Sequence, residues 1–322
     1  MAFSIFVDLA LPADALSALG QGTLGHRLTL PSKPTSVLAQ AAADPRLSEA
    51  DIAFGQPDPE LISRSPKLKW VHIASSGITR YDTREFWSMA RARGLLVSNS
   101  ASVYQEPCAL HALSFMLAQA RQLPAALATQ TPGGSATWDK LRAASVPLSQ
   151  QTLLIVGYGS IGARLVELVQ PLKLRVLAYR RRPRAGETVP LVSPADLSRA
   201  LGEADHIMNI LPHSPETVGF FGHERLLQCK RGAVFYNIGR GATVDQAALL
   251  EALRAGRLKA AWLDVTDPEP LPPGHPLLTE PHCFITPHVA GGYAGEASAL
   301  VRHFLNNLKL FERQEPLVDR VM

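Results

Sequence analysis

Several things are scarce in this chain, and each scarcity removes a class of function. No uninterrupted apolar run approaches the ~18 residues of a membrane-spanning helix. Asp8 and Asp14 also break the apolar N-terminus where a secretory signal would carry its hydrophobic centre. These features predict a cytoplasmic protein with no membrane partner. Cysteine is reduced to Cys108, Cys229 and Cys283, widely spaced and without a CxxC pair, as expected of buried thiols in a reducing compartment. Cys108 and His111 can share a helix face, but two ligands do not make a zinc site, so no metal is expected. Charge is modest, with 19% of the 322 residues charged and a net +4. No basic run is interleaved with aromatics, no zinc-finger spacing occurs and no basic helix adjoins a heptad repeat, so nucleic acid is not an expected partner. The chain lacks G-x-S-x-G, against a serine hydrolase. Repeats and low-complexity tracts are also missing.

What remains is a chain that is 46% apolar and long enough for roughly two domains of ~150 residues. The first hundred residues alternate short apolar runs with helical or loop stretches: "FSIFVDL" (3–9), "DIAF" (51–54), "LKWVHIA" (68–74) and "LLVS" (95–98). That is the rhythm of an α/β unit. Residues 104–121 predict a long helix with Pro107 in its first turn, and 122–150, containing "TPGGSATW", reads as a loop or arm. From 151 onward the strands "TLLIVG", "RVLAY", "HIMNIL", "AVFYNI", "AAWLDV" and "CFIT" alternate with helical stretches, which predicts a doubly wound parallel sheet. Within "DQAALLEALRAG", Asp245 reads as an N-cap and Gly256 as a C-terminal stop. A last helix follows residue 291.

"VGYGSIG" sets Gly157, Gly159 and Gly162 in a G-x-G-x-x-G pattern between a strand and a helix. In that context the first glycine makes the tight turn, the second lets a pyrophosphate approach the backbone and the third lets helix and strand pack closely. Free N–H groups at the helix start, around Ser160 and Ile161, would hold phosphates, with Tyr158 part of the same turn. Arg180 lies 18 residues beyond Gly162, at the end of the second strand, where an NAD site usually carries an acid. Arginine cannot accept from a ribose 2′-OH, but it can pair with a 2′-phosphate. The position therefore predicts NADP(H), with Arg181 as second contact and Arg182 and Arg184 as solvated loop charges. NAD(H) stays open as the other cofactor, because Glu187 is near in sequence.

Three chemically capable residues each follow a strand: Arg240 in "YNIGRGATVD", Glu269 in "LDVTDPEPLP" and His288 in "ITPHVAGG". Singly they read as a surface cation, a loop carboxylate and a helix-entry histidine. Together they supply what reduction of a keto acid needs: a cation for the acid, a proton donor, and a carboxylate to fix that donor's tautomer.

Four ordered motifs, "GYGSIG", "NIGRG", "LDVTDPEPLP" and "TPHVAGG", resemble those of the D-isomer-specific 2-hydroxyacid dehydrogenase family, which includes glyoxylate and hydroxypyruvate reductases. The resemblance runs from about 55 to 321 and is densest from 150 to 292. It implies two Rossmann-like doubly wound domains, the nucleotide-binding one (101–289) inserted into a flavodoxin-like substrate domain (1–100 and 290–322), with the active site in the cleft and a homodimer built on the 104–121 helix and the following arm. It implies Arg240 as the substrate-orienting arginine, Glu269 as partner of the histidine, and His288 as general acid/base protonating a 2-oxoacid as C2 receives hydride. Asp264, Ile238 and Gly239 would lie at the nicotinamide end, Leu211, Pro212 and Thr217 beside the adenosine ribose, and the Ser76 and Gly77 amides at the substrate carboxylate. A small 2-oxoacid such as glyoxylate or hydroxypyruvate is the expected substrate. The alternatives are an NAD-dependent, phosphoglycerate-type dehydrogenase and a non-enzymatic dinucleotide-sensing corepressor, for which the chain offers no extra domain or long tail.

Overall fold

The structure, a computed structural model, describes residues 2–30, 43–129, 136–181 and 186–322. By internal contacts the chain divides into two units, Met1–Tyr104 with Gly292–Met322, and Gln105–Gly291.

The first unit begins with β1 (Ser4–Val7), α1 (Ala13–Gly22), β2 (Arg27–Thr29), β3 (Ile52–Gly55), α2 (Pro59–Arg64), β4 (Trp70–Ile73), α3 (Arg84–Arg93) and β5 (Leu96–Ser98). Its five strands are parallel, in the order β2-β1-β3-β4-β5, the flavodoxin order. β3 and β4 are buried at every residue, as apolar strands of a sheet covered on both faces must be. Local signals bound the helices. Thr83 accepts from Phe86 N at the start of α3, and Gly94, at φ +63°, stops it.

The chain continues through α4 (Ala101–Ala120), α5 (Leu123–Thr129) and α6 (Ala136–Ala144), then β6 (Thr152–Val156), α7 (Ser160–Val169), β7 (Arg175–Tyr179) and β8 (Leu191–Val192). There follow α8 (Leu197–Glu203), β9 (His206–Asn209), α9 (His223–Gln228), β10 (Ala233–Asn237), α10 (Gln246–Arg254), β11 (Leu258–Leu263) and β12 (Cys283–Ile285). The second sheet is parallel throughout, in the order β12-β11-β10-β9-β6-β7-β8. Chain direction across this sheet reverses between β6 and β9, and at such a switch point the strand ends diverge and open a crevice for ligands. A core of Leu154, Val156, Ile207, Phe221, Phe235, Leu249 and Leu263 locks the helices onto it. Finally α11 (Glu296–Glu312) returns to the first unit, where Phe304 stacks on Phe54 at 4.4 Å and on Trp70 at 5.3 Å.

The expected pair of Rossmann-like α/β domains, one inserted in the other, is the architecture observed. Details differ. α4 starts at Ala101, so Pro107 lies inside the helix instead of in its first turn. The segment read as a loop or arm forms α5 and α6. Its Gly-Gly pair falls within 130–135, outside the described residues, and hides the helical spacing on either side. β2 and β8 were not expected, because strands of three and two residues are too short to show a period. Asp245 caps α10 through Ala247 N and Ala248 N, and Gly256 follows it at φ +61°. No helix among the described residues is long and apolar enough to cross a membrane.

Candidate active site

Gly157 leaves β6 at φ +98°, and a Cβ there would lie 2.6 Å from the Ile210 carbonyl carbon and 2.7 Å from Leu211 N. Only glycine fits such a turn. A Cβ on Gly162 would meet the Tyr158 ring at 3.0 Å and Ile155 at 3.2 Å, whereas one on Gly159 would meet nothing within 4 Å. The turn is therefore tight at its two ends and open in the middle. Gly159 and Ser160 are exposed, Ile161 is partly so, and Tyr158 is buried. Among the described residues no side chain caps α7, so its first N–H groups are left for a ligand. This cradle fits a pyrophosphate.

Residues from two strand ends converge on the 210–211 backbone that follows β9. Gly157 abuts it from β6, and a Cβ on Gly239, after β10, would come within 2.6 Å of Leu211 O. Leu211 and Ile238 are buried there, while Pro212 is exposed. A buried amide network that sequence reasoning missed shapes these turns. Asn209 Nδ2 donates to Asn237 Oδ1 (3.1 Å) and Thr243 Oγ1 (2.7 Å). Asn209 Oδ1 accepts from Leu211 N, Asn237 Oδ1 from Gly239 N, and Asn237 Nδ2 donates to Arg240 O. The available signal was an Asn closing each of the mainly apolar strands β9 and β10.

At the ribose end, Arg180 follows β7 and its Nη1 donates to Glu187 Oε1 at 2.7 Å. Arg181 is exposed and lies 3.5 Å from Glu216 Oε2. Thr217 closes the loop after Pro212, accepting from Ser214 N and donating to Pro212 O. Arg182 and Arg184 lie outside the described residues.

The three chemically capable residues belong to one unit, and two of them meet. His288 Nδ1 is 2.5 Å from Glu269 Oε1, so that nitrogen carries the proton the carboxylate accepts and Nε2 is left to act on a ligand. Arg240 is partly buried and donates from Nη1 to Gly239 O at 2.7 Å. Burial lowers its pKa from the ordinary value, and the Glu269 carboxylate pulls it back up. A guanidinium stays charged throughout.

Asp264 holds His288 from beneath. It is 1% exposed. Its Oδ1 accepts from Thr286 Oγ1 (2.6 Å) and Val289 N (2.9 Å), its Oδ2 from Ala290 N (2.9 Å), and its carbonyl from His288 N (2.9 Å). His288 itself sits at φ +52°, a conformation a side chain tolerates only at a cost of about 1–2 kcal/mol. His111 Nε2 lies 3.2 Å from Thr286 Oγ1, and burial lowers its pKa while Asp264 opposes that shift. Among the described residues no group of three or more His, Cys, Asp or Glu could hold a metal ion.

In the other unit, Ser75 Oγ donates to Gly77 O (2.6 Å) and Asn99 Nδ2 to Ser76 O (2.7 Å). Among the described residues the N–H groups of Ser76 and Gly77 donate to nothing, which leaves them for an anion.

Comparison with known proteins agrees with this geometry. Residues 113–290 match the family D-isomer specific 2-hydroxyacid dehydrogenase, NAD binding domain. A human glyoxylate reductase/hydroxypyruvate reductase is 33% identical over 255 residues, covering 78% of this chain and 76% of that one. Its mouse counterpart is 34% identical over 220 residues, covering 68% and 67%. Among solved structures, a Xanthobacter autotrophicus D-isomer specific 2-hydroxyacid dehydrogenase in complex with NADPH and MES superposes with a TM-score of 0.80 at 25% identity, covering 100% of this chain and 98% of that one. The catalytic-looking trio and the glycine turn thus lie inside a segment whose family is established, and the chain belongs to the D-isomer specific 2-hydroxyacid dehydrogenases, NAD(P)-dependent oxidoreductases.

Proposed function

We propose that this dehydrogenase reduces a small 2-oxoacid, such as glyoxylate or hydroxypyruvate, to the D-2-hydroxyacid, with NADP(H) preferred. The observation that carries the chemistry is the 2.5 Å contact between His288 Nδ1 and Glu269 Oε1. When bound, the reduced nicotinamide supplies the hydride that C2 of the oxoacid receives. His288 releases the Nε2 proton to the carbonyl oxygen, and Glu269 stabilises the charged ring before that transfer and fixes its tautomer after it. Arg240 orients the substrate carboxylate with its planar fork and polarises the carbonyl. Gly157–Gly162 and the start of α7 hold the pyrophosphate. Asp264, Ile238 and Gly239 line the nicotinamide end, and Leu211, Pro212 and Thr217 the adenosine side. Arg180, with Arg181, reads the 2′-phosphate.

Relatives described as glyoxylate or hydroxypyruvate reductases support the substrate class. A Sinorhizobium meliloti NADPH-dependent glyoxylate/hydroxypyruvate reductase solved with NADP and sulfate, 25% identical, supports the cofactor. Exposed Leu110, Leu117, Leu127 and Trp138 on α4–α6 support a homodimer through that segment. Three cysteines without a disulfide among the described residues fit the cytoplasm. The test is a panel of 2-oxoacids assayed with NADPH and NADH side by side. Turnover confined to phosphorylated or bulky substrates, or better kcat/KM with NADH throughout, would overturn the reading.

A further inference from the structure

Both arginines of the proposed 2′-phosphate seat face a carboxylate, and the two pairs differ in kind. Arg181 and Glu216 are 3.5 Å apart with side chains 64% and 63% exposed. Such a pair is screened by water and salt and opens at little cost. Arg180 and Glu187 are 2.7 Å apart with side chains only 16% and 14% exposed. Away from water the attraction is stronger, and so is any repulsion between the carboxylate and a second anion.

Glu187 is also anchored. It precedes β8, which pairs with β7 through Ala178 and Tyr179, and Ala178 N donates to Pro190 O at 3.0 Å. The neighbouring Thr188 hydroxyl lies 3.4 Å from Tyr158 OH, which ties the same segment to the glycine turn. The carboxylate is therefore held at the strand end where the adenosine ribose is proposed to lie.

These facts give the two cofactors different consequences. A ribose 2′-OH brings no charge, leaves the Arg180–Glu187 pair intact and finds in Glu187 the kind of acceptor that NAD sites use. A 2′-phosphate brings about −1.5 to −2 charges, competes with Glu187 for the guanidinium and meets an adjacent carboxylate. We propose that Glu187 is a specificity-determining residue that restrains NADP(H) binding by occupying Arg180, so that the site uses both cofactors with a preference narrower than Arg180 alone would give. The proposal rests on the reading of Arg180 given above.

The test measures binding by calorimetry at fixed ionic strength, with adenosine 2′,5′-bisphosphate and adenosine 5′-monophosphate as probes, because they differ only in the 2′-phosphate. Glu187→Gln should tighten the bisphosphate about tenfold, the order expected from removing one like charge at a partly buried site. It should leave the monophosphate within about twofold. Glu187→Ala should also tighten the bisphosphate, and should weaken the monophosphate because it removes the acceptor for the 2′-OH. Arg180→Gln should weaken the bisphosphate and spare the monophosphate. If Arg180→Gln leaves both probes unchanged, the cofactor reading falls and this inference falls with it. If Arg180→Gln weakens the bisphosphate but neither Glu187 variant tightens it, Arg180 keeps its role and Glu187 does not restrain it. If both Glu187 variants weaken the bisphosphate, Glu187 orients Arg180 for the phosphate, which reverses the proposal.

Discussion

Asp264→Asn probes how the general acid is held. The carboxylate is 1% exposed and accepts three hydrogen bonds from the loop that carries His288. An asparagine oriented to keep Thr286 and Val289 places its NH2 against Ala290 N–H, two donors facing each other in a buried site. Losing one bond to a charged acceptor costs about 1.5–3 kcal/mol, and the two that survive weaken because the acceptor is neutral. The loop already carries about 1–2 kcal/mol of left-handed strain at His288, so its cheapest response is to relax that residue and turn the ring away from Glu269. At about 1.36 kcal/mol per decade, the lost bond corresponds to a kcat roughly ten- to a hundredfold lower. Steady-state reduction, calorimetric NADPH binding and amide hydrogen exchange over 286–290 together check this. The expected result is a lower kcat, faster exchange at Val289 and Ala290 and an NADPH Kd within about threefold. Wild-type kcat and exchange would refute the argument, as would a collapse of NADPH affinity with exchange unchanged, which would make contact with the cofactor, and not anchoring of the loop, the main role of Asp264.

His288→Ala should lower kcat by roughly 10²-fold or more while leaving NADPH affinity intact, as fluorescence titration would show. Arg240→Lys keeps the charge but loses the fork, and should raise the KM for the oxoacid by at least about tenfold with little change in the cofactor Kd. Gly157→Ala would force a methyl to 2.6 Å from the Ile210 carbonyl carbon at φ +98°, and its urea midpoint should report a loss of more than about 2 kcal/mol. Burial raises Asp8 to about 6, so its protonated form stabilises the fold at low pH, and that contribution disappears as pH rises from about 4 through 6. Asp8→Asn, which keeps an acceptor for Gln56 N, should therefore match wild type near pH 4 and exceed it above pH 6.5 by up to about 3 kcal/mol in denaturant titrations. Burial lowers His206 to about 4, the opposite sign, and Asp8→Asn should consequently lose stability as pH falls from 6.5 to 4 more steeply than wild type.

Much of this was legible from local chemistry. Continuous apolar runs such as "TLLIV" specify strands, and β6, β9 and β10 are buried at every residue, as strands covered on both faces must be. The glycine turn and the Asp245 cap follow from residue types whose geometry is nearly unique, a φ that only glycine reaches and a side-chain oxygen at a helix start, whereas the Glu269–His288 pair is what the family resemblance implies. Short edge strands and the helices around 130–135 were illegible for the converse reason. Their residues satisfy no period long enough to register.

What local chemistry could not give is pairing between segments distant in sequence. Nothing in "HIMN" or "AVFYN" reveals that their asparagines bond each other across β9 and β10, because a buried amide at a strand end is costly alone and acceptable only when its partner arrives from another strand. The same holds for Asp264, 22 to 26 residues from the groups it accepts from. Arg180 is a nearer case, because its partner is visible in the sequence and only the contact is not. Read singly, Arg180 is a phosphate ligand. Read with Glu187 at 2.7 Å, it is a cation whose charge is already partly spoken for, and cofactor choice becomes a difference between two competing anions instead of a property of one residue. The sequence conveys the arginine and puts an acid seven residues on, and only the three-dimensional contact makes that acid a competitor.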